Sequence, residues 1–179
     1  MQSPNLKQNY FELFGLAPTF ALDRGQLLAA QQRLQSSYHP DRHVNENDHD
    51  RRLSVQIASW INQAYETLQD PVKRSRYLLE ISGADIPDDS TTTADTEFLM
   101  EQIELREAVD ACRQAEDGLE QCQQIENRLT QRATELADDF VTCFETDDLN
   151  GAVTLSRKMQ FVQRIQQQLG ELQFELEGL

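Results

Sequence analysis

Apolar residues recur at steps of three and four along most of this chain, so the pattern predicts helices almost throughout. Leu53, Ile57, Ile61, Ala64 and Leu68 follow one another at 4, 4, 3 and 4, the signature of one buried helical face. Ahead of them, Tyr10 to Leu16 is a short apolar stretch closed by Gly15 and Pro18, enough for one or two turns. Asp23 can cap a second helix running to about Tyr38, with Leu27, Leu34 and Tyr38 on its apolar side and Pro40 stopping it. Residues 39–47 are polar and loop-like, and Asp48 or Asp50 can open the third helix. Asp70-Pro71 ends that helix and places proline at the start of a short fourth one, Val72 to Ile81.

Residues 83–95, GADIPDDSTTTAD, break the periodicity and read as a linker; beyond Pro87 the chain has no proline. Three long periodic segments follow. The first covers about residues 95–113. The second carries Leu119, Cys122, Ile125, Leu129, Ala133, Leu136, Phe140 and Cys143. The third carries Leu155, Met159, Val162, Ile165, Leu169, Leu172, Leu176 and Leu179, after a break at Asp147-Asp148-Leu149-Asn150-Gly151. Heptad-like seams of this kind pack most economically as an antiparallel three-helix bundle. The expected architecture is therefore all-α: an N-terminal helical domain over residues 1–82, a linker over 83–94, and a bundle over 95–179.

The first bundle helix has one apolar stripe too many. On a wheel of about 100° per residue with Phe98 at zero, Leu105, Val109 and Cys112 fall within about 40° of it. Leu99, Met100, Ile103, Glu104 and Glu107 fall between about 100° and 240°. A surface helix needs only one stripe. Either this helix is sandwiched and buries both, or the second stripe is exposed and docks a partner, with Met100 offering adaptable contact.

Charge sharpens the division into two units. The net charge is −15; residues 1–82 hold 9 basic and 9 acidic side chains, residues 83–179 hold 7 and 22. An acidic half is a poor match for nucleic acid or an anionic membrane, and no apolar run reaches the roughly 18 residues of a membrane span. The N-terminal residues have no apolar signal core and no Arg-rich leader, so a cytoplasmic protein is expected. The three cysteines, Cys112, Cys122 and Cys143, match no metal or redox spacing and read as small buried hydrophobes in a reducing compartment.

The loop between the second and third helices concentrates the side chains with chemistry. His39, His43 and His49 all lie within eleven residues, and His39-x-Asp41-x-His43 can in principle hold a metal. A catalytic reading needs a nucleophile or a second acid–base group beside the histidine; Ser36, Ser37 and Asp41 are available, an arrangement common by chance. No glycine-rich phosphate loop is present. Docking is the third reading: Pro40 stiffens the backbone, Asp41 can accept a bidentate arginine, and Arg24, Arg33 and Arg42 surround it with positive charge.

Residues 10–80 resemble a J-domain. The resemblance rests on Tyr10-Phe11, Leu13-Phe14-Gly15-Leu16, Tyr38-His39-Pro40-Asp41-Arg42, Ile61-Asn62-Gln63-Ala64-Tyr65, Leu68, Asp70-Pro71, Arg74 and Tyr77. The run Asp95 to Glu107 resembles one branch of J-proteins, the HscB-type co-chaperones of iron–sulfur cluster assembly. Gln31, Ser36 and Ser37 depart from the J-domain pattern, which has an aromatic or cations there.

The resemblance implies a non-enzymatic co-chaperone without cofactor or metal. One surface, of His39, Pro40, Asp41, Tyr38, Arg33 and Arg42, would engage an HscA-like ATPase of the DnaK type and stimulate its ATP hydrolysis. A second, of Leu99, Met100, Ile103, Glu104, Glu107 and Phe161, would bind an IscU-like cluster scaffold. A monomer is expected, with neither nucleic acid nor membrane as partner. Two rivals stay open: an interaction protein self-associating through residues 99–107, and a metal-dependent hydrolase using His39, Asp41 and His43.

Overall fold

The computed structural model describes residues 8–38, 48–87 and 95–178, and for residues 48–51 the backbone only. The His39-Pro40-Asp41-Arg42 loop and His43 lie outside the described residues. The chain divides into two compact units, Met1–Ser82 and Gly83–Leu179.

In the N-terminal unit, α1 (Tyr10–Phe14) is short because both of its ends are closed. The Glu12 N–H donates to Asn9 Oδ1 at 2.9 Å and the Asn9 N–H to Glu12 Oε2 at 3.0 Å, a reciprocal cap. Gly15 then takes φ 68°, the left-handed conformation that ends a helix, so the element stops at Phe14 rather than reaching Leu16. Asp23 Oδ1 accepts the N–H groups of Gly25 and Gln26, starting α2 (Arg24–Tyr38). α3 (Asp48–Gln69) packs along α2, and the pair forms the body of the unit. Asp70 caps α4 (Pro71–Ile81) through the N–H groups of Val72 and Lys73, with Pro71 at the first helical position, one residue earlier than the periodicity marks.

Phe11, Leu13, Phe14, Phe20, Leu27, Ala30, Ile57, Ile61, Ala64, Leu68, Leu78 and Leu79 form its core. Arg74 is buried with them. Its guanidinium donates to the Leu68 carbonyl and lies 4.9 Å from the centre of the Phe20 ring. Burial pulls its pKa below the usual arginine value, the nearby Arg24 adds to that, and Asp70 partly offsets it. The cation thus links the end of α3 to α4 from inside.

The second unit is a three-helix bundle of α5 (Thr96–Cys112), α6 (Gly118–Glu145) and α7 (Leu149–Leu176), each packed on the other two. Asp95 caps α5 through the Phe98 N–H and Asp148 caps α7 through the Gly151 N–H. The α6–α7 turn is three residues long, which folds the two helices back antiparallel. It is closed by Asp147 at φ 61°, a conformation that Asp tolerates better than most residues.

Phe98, Leu105, Val109 and Cys112 point inward from α5, as the wheel predicts. They meet Cys122, Ile125, Leu129, Leu136 and Phe140 of α6, and Met159, Val162, Ile165, Leu169 and Leu172 of α7. Leu119, which the periodicity puts in the seam, is 42% exposed. The helix begins only at Gly118, and Gly118 and Cys122 take the inward face, leaving Leu119 about 100° off it. Cys143 is half-buried, unlike the fully buried Cys112 and Cys122.

Candidate docking surfaces

On α2, Leu27 and Ala30 face the core and so turn Arg24 and Arg33 outward, where both are exposed. Tyr38, at the C-terminal end of the helix, is half-buried. Gln35 is tied across to α3 by its amide, which donates to Asn62 Oδ1 at 2.9 Å. Of the six residues in the first candidate surface, the structure describes Arg33 and Tyr38; His39, Pro40, Asp41 and Arg42 lie outside the described residues.

The second candidate surface is fully described. Met100 is 54% exposed and Ile103 49%; Leu99 is half-buried beside them, and Glu104 and Glu107 are exposed. Of the two options for the extra stripe, burial between neighbours is the one the structure contradicts. α5 packs on α6 and α7 through its Phe98 side, and no described residue of the bundle covers the opposite side.

The rim of the patch is acidic. Glu101, which flanks it, is already engaged by Arg132 at 3.3 Å, and Arg132 also reaches Glu135 at 3.6 Å. Among the described residues Glu104 and Glu107 have no ion-pair partner. The patch therefore presents two apolar side chains beside two unneutralised carboxylates, chemistry suited to a partner with an apolar contact flanked by cations.

Phe161 stands apart from the other five. It is 7% exposed, inside the bundle, with its ring edge-on to Phe98 at 5.5 Å. The Arg106 guanidinium lies 5.8 Å from its centroid and so covers the outer side. Beyond it, Lys158 Nζ contacts Asp95 Oδ2 at 2.7 Å and sits 5.3 Å from the Phe98 ring. Lys158, followed by the Phe98 N–H, holds the Asp95 carboxyl below the usual carboxylate range. Asp95 and Lys158 fix how the start of α5 sits on α7 and Arg106 ties its later turns to the same helix, and sequence periodicity had no signal for them, because their partners lie more than 50 residues away.

Among the described residues no three His, Cys, Asp or Glu side chains gather where they could hold a metal. None of the described helices is long and apolar enough to cross a membrane.

The described architecture is a helical hairpin with short flanking helices, followed in the chain by a three-helix bundle with an exposed apolar stripe. Residues 94–170 match the family model described as the HSCB C-terminal oligomerisation domain. A co-chaperone protein HscB homologue of Shewanella halifaxensis is 36% identical over 165 residues, covering 90% of this chain and 94% of that protein. The chaperone HscB of Vibrio cholerae superposes with a TM-score of 0.85 at 31% identity, over 94% of this chain and 99% of that one. Human co-chaperone protein HscB superposes at 0.87 with 27% identity, over 100% and 87%. The chain belongs to the HscB co-chaperone family.

Proposed function

We propose that this co-chaperone binds an IscU-like iron–sulfur scaffold through Leu99, Met100, Ile103, Glu104 and Glu107, and delivers it to an HscA-like ATPase of the DnaK type. His39, Pro40 and Asp41, with Tyr38, Arg33 and Arg42 beside them, are the residues that engage the ATPase and stimulate its ATP hydrolysis. Phe161 supports the scaffold surface from beneath. The cytoplasm is the expected compartment. The observation that carries the reading is the exposed Met100 and Ile103 stripe on the side of α5 opposite the core, rimmed by Glu104 and Glu107. It is a docking face that the fold does not itself use.

The chemistry of hydrolysis belongs to the ATPase, so this chain works by tethering. Holding the scaffold on one unit while the other engages the ATPase makes the second encounter intramolecular and raises the local concentration of the client.

Steady-state ATP turnover by the cognate chaperone, measured with and without this protein, separates the two functions. His39→Gln removes stimulation while leaving scaffold binding intact. Met100→Ala with Ile103→Ala weakens scaffold binding about 10- to 100-fold, the loss expected when two exposed apolar side chains no longer become buried against the partner, and leaves scaffold-independent stimulation unchanged. Normal stimulation by a folded His39→Gln protein would sink the first assignment; unchanged scaffold affinity in the double variant would sink the second.

A further inference from the structure

Two thiols meet inside the bundle. Cys112 is the last residue of α5 and Cys122 lies just over one turn into α6; both are fully buried. Their approach is set by Gly118, the first residue of α6. A Cβ at Gly118 would be driven into the backbone carbonyl of Cys112, so only glycine lets the end of α5 come this close. Cys122 is four residues further on and shares the Gly118 face of α6. Side chains on a helix lean towards its N-terminus, which aims the Cys122 sulfur back at Cys112. Cys122 lies close enough for the Cys112 thiol to help push its pKa up, and the Cys112 thiol itself donates to the Ala108 carbonyl at 3.1 Å.

We propose that Cys112 and Cys122 form an internal disulfide under sustained exposure to a low-molecular-weight disulfide, cross-linking the end of α5 to the start of α6. One cysteine, as thiolate, attacks the small disulfide. This gives a mixed disulfide at that sulfur and releases one small thiol. The second cysteine loses its proton and attacks the protein-bound sulfur, which closes the bridge and releases the second small thiol. The two protein thiols are oxidised by two electrons and the reagent is reduced to two thiols, each taking up one of the protons lost.

The entry route is the α5–α6 connection. Asp117 stands at the N-cap of α6 but makes no capping bond, because its carboxylate accepts the Gln121 amide at 2.7 Å instead. An uncapped helix start with exposed flanking residues, Arg113, Gln114, Glu116 and Asp117, opens more readily than the helix interiors. The reaction is slow by construction. Burial, reinforced by the Cys112 thiol, pushes Cys122 up to about 11, so its thiolate is scarce at neutral pH. The bridge therefore records persistent rather than passing oxidation.

The test uses the full-length protein, folded, incubated with excess oxidised glutathione at neutral pH. Free thiols are then alkylated in denaturant and the digest is mapped by mass spectrometry. The expected product is one peptide pair joined through Cys112 and Cys122, lighter by two hydrogens, with Cys143 outside the bridge. Closing the loop raises the Tm of the bundle by roughly 5–15 °C, dithiothreitol reverses the shift, and Cys122→Ser never shows it. Two results overturn the proposal. One is that both sulfurs stay alkylatable, or carry only glutathione, after exposure long enough to modify Cys143. The other is a bridge that forms only above the Tm. If Cys122→Ser fails to fold, mapping of the unsubstituted chain before and after dithiothreitol decides between the same outcomes.

Discussion

Single side chains of this protein divide into those that hold α5 in place and those that α5 displays. Phe161 belongs to the first kind. Its ring meets Phe98 edge-on inside the bundle, and Arg106 covers its outer side. Phe161→Ala removes a buried aromatic, and the bundle is expected to lose about 3–5 kcal/mol, read as a lowered Tm. Any loss of scaffold affinity in that variant should shrink as temperature is lowered and the bundle recovers. Met100 and Ile103 are half exposed, so their replacement by alanine should leave the Tm within a degree or two of the original. A Phe161→Ala protein with an unchanged Tm but weak scaffold binding would instead make Phe161 a direct contact.

At the level of elements, α5 is anchored at its start by one charged pair. Lys158 of α7 and the Phe98 N–H both favour the Asp95 carboxylate, so its pKa is lower folded than unfolded. Around pH 4 the unfolded chain binds more protons at this site than the folded one. The contribution of Asp95 is thus complete at neutral pH and is lost as pH falls through the folded value. Asp95→Asn keeps a good N-cap but removes the charge. The difference in Tm between the two proteins should be flat from about pH 6 to 8 and should close below about pH 4. A difference that persists at low pH would assign the effect to capping geometry rather than to the Lys158 pair. The same helix shows how far a pattern can be read. Its inward stripe and its extra stripe are both local properties of 17 residues, and both lie where the wheel puts them. Arg106, Asp95 and Lys158 act across helices, so no local pattern marks them.

For the whole molecule, two compact units with separate cores predict separate unfolding. Calorimetry is expected to resolve two transitions, and Ile61→Ala, which opens a cavity in the N-terminal core, should lower only one of them by about 2–4 kcal/mol of stability. A single transition shifted as a block would show that the units unfold together. Their helices and the outward stripe of α5 were determined by the sequence alone. Helix formation depends on caps and on apolar spacing within a few residues, and Asp23, Asp70 and Asp95 stand at helix starts with the apolar steps that follow. Only the tertiary structure decided that Phe161 is buried while Leu119 is exposed, that Glu101 is neutralised while Glu104 and Glu107 are not, and that Cys112 and Cys122 meet. Those outcomes depend on which helix faces which and in what register. That is set by contacts between residues distant in the chain, where the spacing of apolar positions carries no information.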